Sequence, residues 1–368
     1  MFRIAATIAA VLLATPALAA EAAGPKLTLS GMVDGYYTLN VSQGQAQSSP
    51  TAGDGFYSSA TGFNLGMAKI AALAESGPVT AKLELAFGPV GQAITVDASG
   101  SAVQPGNAVF VEQALVSMKF GKLTVDAGRF VTPAGFEVYE AKDNWLYSHG
   151  LLFNFALPIA HQGVRVSTAL TPDLTGYAFL ANGSNLFDND VGFTASPYKT
   201  VAAGVSYAKD GMTVAGNLFL SKDPNPAPTP GNDALLLDVV FTKAMGATSF
   251  AVSADLGSYD GSSFFGVGGA VKHALAADGL KVVGRVEFFS DKDGVHYVLK
   301  PGGWQFPNPD GSFSTPTLLS LTGGVNYPVG SNAELRAELR YDNASEKVYG
   351  NDPSNGLLTF TASAIAWF

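Results

Sequence analysis

Side chains that change face at every residue constrain this chain more than any other feature in it. Across 357–368, Leu358, Phe360, Ala362, Ala364, Ala366 and Phe368 share one face. Thr359, Thr361, Ser363 and Trp367 share the other, with Ile365 the one apolar exception. A period of two belongs to a β-strand with one dry side and one wet side. The same pattern recurs upstream, for instance over 27–40, 79–87, 164–170 and 332–342. Short turns at 76–78, 121–122, 171–173, 209–211, 245–247, 276–279 and 328–331 alternate with longer polar connections. This layout predicts about 16 strands, within a range of 14–18. Segment 61–75 is the weakest, because Lys69 and Ile70 interrupt its alternation, and 108–120 changes face near Gln113, which predicts a β-bulge.

No apolar run after the first 20 residues reaches the length of a membrane-spanning helix. Lipid leaves open backbone groups unsatisfied, so the other spanning solution is a closed barrel. Charged residues make up 14% of the chain, against roughly 25% in soluble domains. The 42 Gly, 24 Phe and 13 Tyr suit a wall between lipid and water. A soluble β-protein is the bland alternative. The fold expected is therefore all-β: a membrane-spanning, antiparallel, up-and-down barrel over 20–368, with short periplasmic turns and long outer loops. Phe120, Tyr207, Tyr327 and Phe368 fall at the inferred periplasmic rim. Tyr37, Phe130, Phe219 and Phe288 fall near the outer rim, as interfacial girdles would. Ordinary β-propensity of aromatics is the other explanation.

Residues 1–19 read as a removable signal peptide. Arg3 is followed by an apolar stretch over 4–14, Pro16 breaks it, and Ala17-Leu18-Ala19 fits a small-residue cleavage pattern. The expected location is the outer membrane of a Gram-negative bacterium. The chain has no Cys, which leaves no disulfide or thiolate metal site. A formal net charge of −9 makes nucleic acid an unsuitable partner.

A 16-stranded barrel is wide enough for an aqueous channel. The third outer loop, 131–160, is the candidate to narrow it. It carries Glu137, Glu140, Lys142 and Asp143 among Trp145, Tyr147, Phe153 and Phe155, aromatics that would be costly on an exposed loop. A loop covering the outer mouth, or lying in a subunit interface, is the alternative. On the wall, parity turns Arg165, Arg285, Glu287, Glu334, Arg336, Glu338 and Arg340 into the lumen. The run 334–340 alternates four charges with three apolar residues. Charge on the lipid face costs about 2–4 kcal/mol at mid-membrane, so these four face water. Acidic loop groups opposite an arginine row would set a transverse field across the passage. The plainer reading is that Arg336 and Arg340 pair with Glu334, Glu338 and Glu287. Both stay open on the sequence.

Enzyme readings find little support. The chain has four His, and Ser148-His149 are sequence neighbours, a geometry that rarely lets one activate the other. His161 reads as a structural hydrogen-bonding residue. No nucleotide-binding glycine loop, zinc spacing or full calcium loop occurs, so no catalytic residue, metal site or cofactor is expected. Asp188-Asn189-Asp190 and Asp291-Lys292-Asp293-Gly294 fit either a cation beside lipopolysaccharide or turn chemistry. A surface-display barrel, with loops serving as an adhesin or partner site, is the alternative to a channel.

The run from Gly128-Arg129-Phe130-Val131-Thr132-Pro133 to Glu137 resembles a block of the OmpL-like β-barrel porin family (beta-barrel porin type 2). Asn144-Trp145-Leu146-Tyr147-Ser148 and Pro158-Ile159-Ala160-His161-Gln162-Gly163-Val164-Arg165 are similar to it too, as is Gly31-Met32-Val33-Asp34-Gly35-Tyr36-Tyr37. The resemblance implies an outer-membrane porin giving passive diffusion of small polar solutes or ions. Expected partners are outer-membrane lipid and lipopolysaccharide, the solutes, and the barrel-assembly machinery through Phe368. Ala362, Ala364 and Ala366 are smaller than such C-terminal signals usually carry. Analogy with 16-stranded porins leaves a homo-trimer open.

Overall fold

A computed structural model describes residues 24–42, 61–88, 109–183, 198–223, 232–275, 279–294, 306–307, 313–349 and 354–368. The signal peptide and Asp188-Asn189-Asp190 lie outside them. Alternation along each segment produces a closed antiparallel barrel of 16 strands. In chain order they start with β1 (Lys26–Asn40), β2 (Gly62–Ser76), β3 (Val79–Phe87), β4 (Val109–Phe120) and β5 (Leu123–Val131). Next come β6 (Ala160–Ala169), β7 (Leu174–Asn182), β8 (Lys199–Lys209), β9 (Met212–Asp223) and β10 (Asn232–Met245). The wall continues with β11 (Thr248–Tyr259), β12 (Ser262–Ala274) and β13 (Lys281–Ser290). Two short strands, β14 (Phe306–Pro307) and β15 (Phe313–Ser314), pair with each other outside the wall. The barrel ends with β16 (Thr317–Pro328), β17 (Ala333–Ala344) and β18 (Gly356–Trp367).

An even strand number lets the last strand meet the first antiparallel. β18 pairs with β1 from Met32↔Trp367 to Asn40↔Thr359. At the rim, Gly31 and Phe368 exchange both backbone hydrogen bonds, at 3.1 and 3.0 Å. The barrel sheet has no open edge, which is what lipid demands of a spanning β-structure.

Burial is inverted relative to a soluble protein. Leu339 is 49% exposed on the outer face, while Asp342 and Arg340, on the inner face of the same strand, are 1% and 3% exposed. Val201, Leu220, Val252 and Leu321 repeat the outward pattern. Such a surface is stable only against hydrocarbon.

The structure corrects four expectations. The interruption in β2 is not at Lys69 and Ile70. It is a bulge at Gly66–Met67, two residues facing Asp34 alone, so Lys69 points inward and Ile70 outward in register. The connection between β11 and β12, one of those expected to be longer by the alternation of short turns and long connections, is a two-residue turn, Asp260-Gly261. Both residues have positive φ, 48° and 85°, the geometry that Asp-Gly favours in a hairpin. Phe130 and Phe219 are not girdle residues, because parity points both into the lumen, where they are buried against His161. His161 itself packs among rings, and among the described residues neither ring nitrogen has a hydrogen-bond partner. Tyr37 against Phe63 and Phe265 against Phe288 do lie on the outer face, with centroids 4.8 and 5.6 Å apart. The bulge expected near Gln113 is present, with Glu112 as the extra residue between Val111 and Gln113.

Candidate functional site

Residues 132–159 join β5 to β6 and run through the barrel interior. A 3-10 turn at Ala141–Asp143 and one helical turn, α1 (Leu151–Phe155), are its regular pieces. A segment this irregular leaves most of its N–H and C=O groups without partners of its own, and burying them unpaired is costly. The wall supplies the partners.

Carboxylates on the wall take the N–H groups. Glu338 accepts from Tyr147 N at 2.8 Å and from Ser148 N at 3.1 Å, one oxygen each. Glu287 accepts from Leu151 N at 2.9 Å and Leu152 N at 3.3 Å, the exposed donors at the start of α1. Asp238 accepts from Gly135 N at 3.2 Å. Guanidinium groups take the carbonyls. Arg336 donates to Ala141 O at 2.7 Å and Leu146 O at 3.1 Å. Arg340 donates to His149 O at 2.6 Å, and Arg285 to Ser148 O at 2.8 Å. Asn326 holds Trp145 O at 2.9 Å, and the Tyr147 hydroxyl donates to Asp34 at 2.6 Å. Asp34 lies on β1 and Asp238 on β10, which stand nearly opposite each other in the ring, so the segment is fastened on both sides of the lumen.

Two glycines are required by this packing. A Cβ at Gly150 would sit 2.2 Å from a Glu287 carboxylate oxygen, and one at Gly66 would sit 1.8 Å from Asp34 Oδ1. Apolar contacts complete the seating. The His149 ring stacks on Phe153 at 4.2 Å, Phe155 on Phe289 at 5.4 Å, and Tyr139 meets Phe153 edge-on at 5.7 Å. Burial pushes the Tyr139 phenol well above its ordinary range, so it stays protonated.

The residues singled out from the sequence separate into three groups. Glu287, Glu334, Arg336, Glu338 and Arg340 are buried beneath the loop, with Arg285. Arg285 contacts Glu137, Arg336 pairs with Glu334 at 2.6 Å, and Arg340 with Asp342 at 2.9 Å. The oxygens of Glu338 and Glu287 are taken up by N–H groups of the loop, and Glu287 Oε2 also lies 3.1 Å from Arg285 Nε. Arg165 stands apart on β6, 2.7 Å from Asp126 and stacked over the Phe130 ring. Glu140, Lys142 and Asp143 border open space. Lys142 and Asp143 pair at 2.6 Å, and Asp143 keeps 52% of its side chain exposed. Gly294 N donates to Asp291 O at 3.1 Å and closes a turn, and Asp293 accepts from Ser263 N of the neighbouring hairpin at 2.9 Å.

That open space is a cavity of about 630 Å3 between the loop and the inner face of β1–β4. Its charged border includes Lys69, Lys82, Glu112, Glu140, Lys142 and Asp143. The sequence reading missed Lys69 and Glu112. Each lies on a bulged strand, where strict parity fails; placing the Gly66–Met67 bulge is the step that turns Lys69 inward.

Comparison with known proteins places this geometry. The sequence profile of the family described as "Putative beta-barrel porin-2, OmpL-like" matches residues 26–368. No curated protein matches the sequence. Among solved structures, OmpF of Salmonella typhi in complex with daunomycin superposes with a TM-score of 0.63 at 14% identity, covering 94% of this chain and 98% of that one. The outer membrane channel DcaP of Acinetobacter baumannii gives 0.62 at 12% identity, with the same coverage of 94% and 98%. OmpT of Vibrio cholerae, an outer membrane protein in trimer form, gives 0.59 at 11% identity, covering 94% and 100%. At these identities the likeness is one of fold.

Proposed function

The chain belongs to the OmpL-like β-barrel porin-2 family and is an outer-membrane porin, and from that premise we propose that small polar solutes and ions diffuse passively through the lumen past loop 131–160. The observation that carries this reading is the fastening of the loop. It is held on β17 and β1 and across the lumen on β10 by bonds to buried charged side chains, and it leaves on one side a cavity bordered by charge. A channel selects by its narrowest width and by the charges that line it. Glu140, Lys142 and Asp143 occupy that border in this chain, whereas Arg285, Glu287, Glu334, Arg336, Glu338 and Arg340 position the loop.

The wider assignment goes with this reading. Residues 1–19 are removed on export, 20–368 form the barrel in the outer membrane of a Gram-negative bacterium, and Phe368 serves the assembly machinery there. Lipid and lipopolysaccharide surround it, and the trimer form of the V. cholerae protein supports a homo-trimer. The protein acts without a catalytic residue. His149 Nε2 is engaged with Val138 O at 2.9 Å and its ring is stacked, so it is poorly placed as a base.

Cysteine accessibility tests the passage, since the chain has no Cys of its own. An Asp143→Cys barrel in planar bilayers should conduct in proportion to salt and lose conductance when a charged methanethiosulfonate reagent is added. Undiminished conductance after complete labelling would remove the loop from the passage, and absent conductance before labelling would refute the channel.

A further inference from the structure

Beside the cavity, Lys69 Nζ lies 2.9 Å from Glu84 Oε2 and 2.9 Å from Glu112 Oε1, and it contacts Glu140 as well. Three carboxylates around one ammonium match its three N–H donors. The arrangement is built from four separate parts of the chain, with Glu84 on β3. The bulge in β2 turns Lys69 inward, the bulge in β4 turns Glu112 inward, and the loop delivers Glu140 from above. One oxygen from each of the three carboxylates lies within 4.8 Å of the others. Glu112 is 2% exposed, and its second oxygen, Oε2, has no hydrogen-bond partner among the described residues. The cluster thus sets three carboxyl groups against the one ammonium of Lys69, together with an unused buried acceptor. Among the described residues, Lys82, 2.7 Å from Glu84, is a second cation paired with it.

We propose that Glu84, Glu112 and Glu140 form a cation site on the lumen wall, that Lys69 is its tethered occupant, and that a divalent metal ion takes the same carboxylates when Lys69 is removed. Hard oxygen ligands from three carboxylates, with space for water on the cavity side, suit calcium. In the native chain the tethered ammonium neutralises part of the acidic border. Lys69 is thereby a residue that sets the charge preference of the passage. This last step rests on the porin reading above; the site itself does not.

The test uses the full mature barrel, refolded in detergent micelles, with Lys69→Met. Titration with calcium chloride should show one site, with a Kd in the range of about 0.1–1 mM typical of open carboxylate sites, and the unsubstituted barrel should show none. Adding Glu140→Gln to Lys69→Met should weaken binding at least about tenfold, as loss of a charged ligand does. In bilayers, the reversal potential of Lys69→Met should move toward that of the cation, and calcium should reverse the shift. A folded Lys69→Met barrel that binds no calcium overturns the site. Two buried carboxylates and a half-buried one without their counter-ion also threaten folding. Refolding in calcium but not in chelator would support the site as directly as the titration, and failure in both would overturn it. The unsubstituted barrel, recorded in the same bilayers, separates the two readings. If it stays closed, the diffusion reading fails while the calcium titration still judges the site.

Discussion

Glu338→Gln is the sharpest test of how the loop is held. In the native protein one buried carboxylate satisfies two consecutive donors, Tyr147 N and Ser148 N, at 2.8 and 3.1 Å. Glutamine has nearly the same volume but only one acceptor oxygen, and its NH2 would face an N–H. One charge-assisted bond is lost, the second loses its charge, and a buried donor is left unpaired. Taken together these cost about 3 kcal/mol at the loop. The barrel ladder does not use this side chain, and Glu287, Arg336 and Asp34 still hold the loop elsewhere. The effect should therefore appear as local release and leave the barrel intact. A change of about 3 kcal/mol multiplies the released population by about a hundred. Single-channel records in planar bilayers should show far more frequent conductance steps than the parent, and limited proteolysis of the folded barrel should cut between 144 and 150 correspondingly faster. Heat-modified mobility on gels would verify that the barrel has formed. Parent-like traces together with a parent-like cleavage rate would refute the account of the loop as fastened through its backbone.

Two further outcomes follow from the same contacts. Gly66→Ala places a methyl 1.8 Å from Asp34 Oδ1 and 2.5 Å from the Tyr147 hydroxyl, so it should break that hydrogen bond and lower the thermal midpoint; an unchanged midpoint would contradict it. Arg336→Ala combined with Arg340→Ala should increase conductance fluctuations, because Ala141 O, Leu146 O and His149 O lose their donors, while the reversal potential stays near that of the parent. A large shift in ion selectivity would restore these arginines to the lining of the passage.

Strand alternation made the barrel legible without any structure, because a step of two residues is a local property. It places Val79–Phe87 and its lumen-facing Lys82 and Glu84 directly. What alternation does not show is a place where it slips. The bulges at Gly66–Met67 and Glu112 each shift parity, and Lys69 and Glu112 meet because both strands are bulged. The same limit explains Phe130 and Phe219: assigned by their height on the strand, they were given a rim position that their parity rules out. The 334–340 run was correctly turned toward the lumen, but its partners are backbone atoms of the loop, almost two hundred residues away in sequence. No side-chain pattern within the run records a bond to a distant peptide group.

Why β17 should alternate the sign of its charge at each inward step follows from what it holds. A buried, irregular segment presents both N–H and C=O groups, so its support must offer acceptors and donors in turn. A strand can place lumen-facing side chains only at every second residue. Glu334, Arg336, Glu338, Arg340 and Asp342 are that series. Neighbours of opposite sign also hold each other, at 2.6 Å for Arg336 and Glu334 and 2.9 Å for Arg340 and Asp342, so no arginine of the strand depends on the loop alone. A single-signed row would repel itself in a medium that screens little and would satisfy only half of the loop's backbone groups. Charge committed in this way is buried and paired, and it contributes little field to open water. On the proposed diffusion path, the charge that a solute would meet is the set around the cavity, on β2–β4 and the 3-10 turn, where Asp143 and Lys142 reach solvent and Lys69 is surrounded by carboxylates. In this barrel the side chains that hold the loop and those that border the cavity belong largely to different walls.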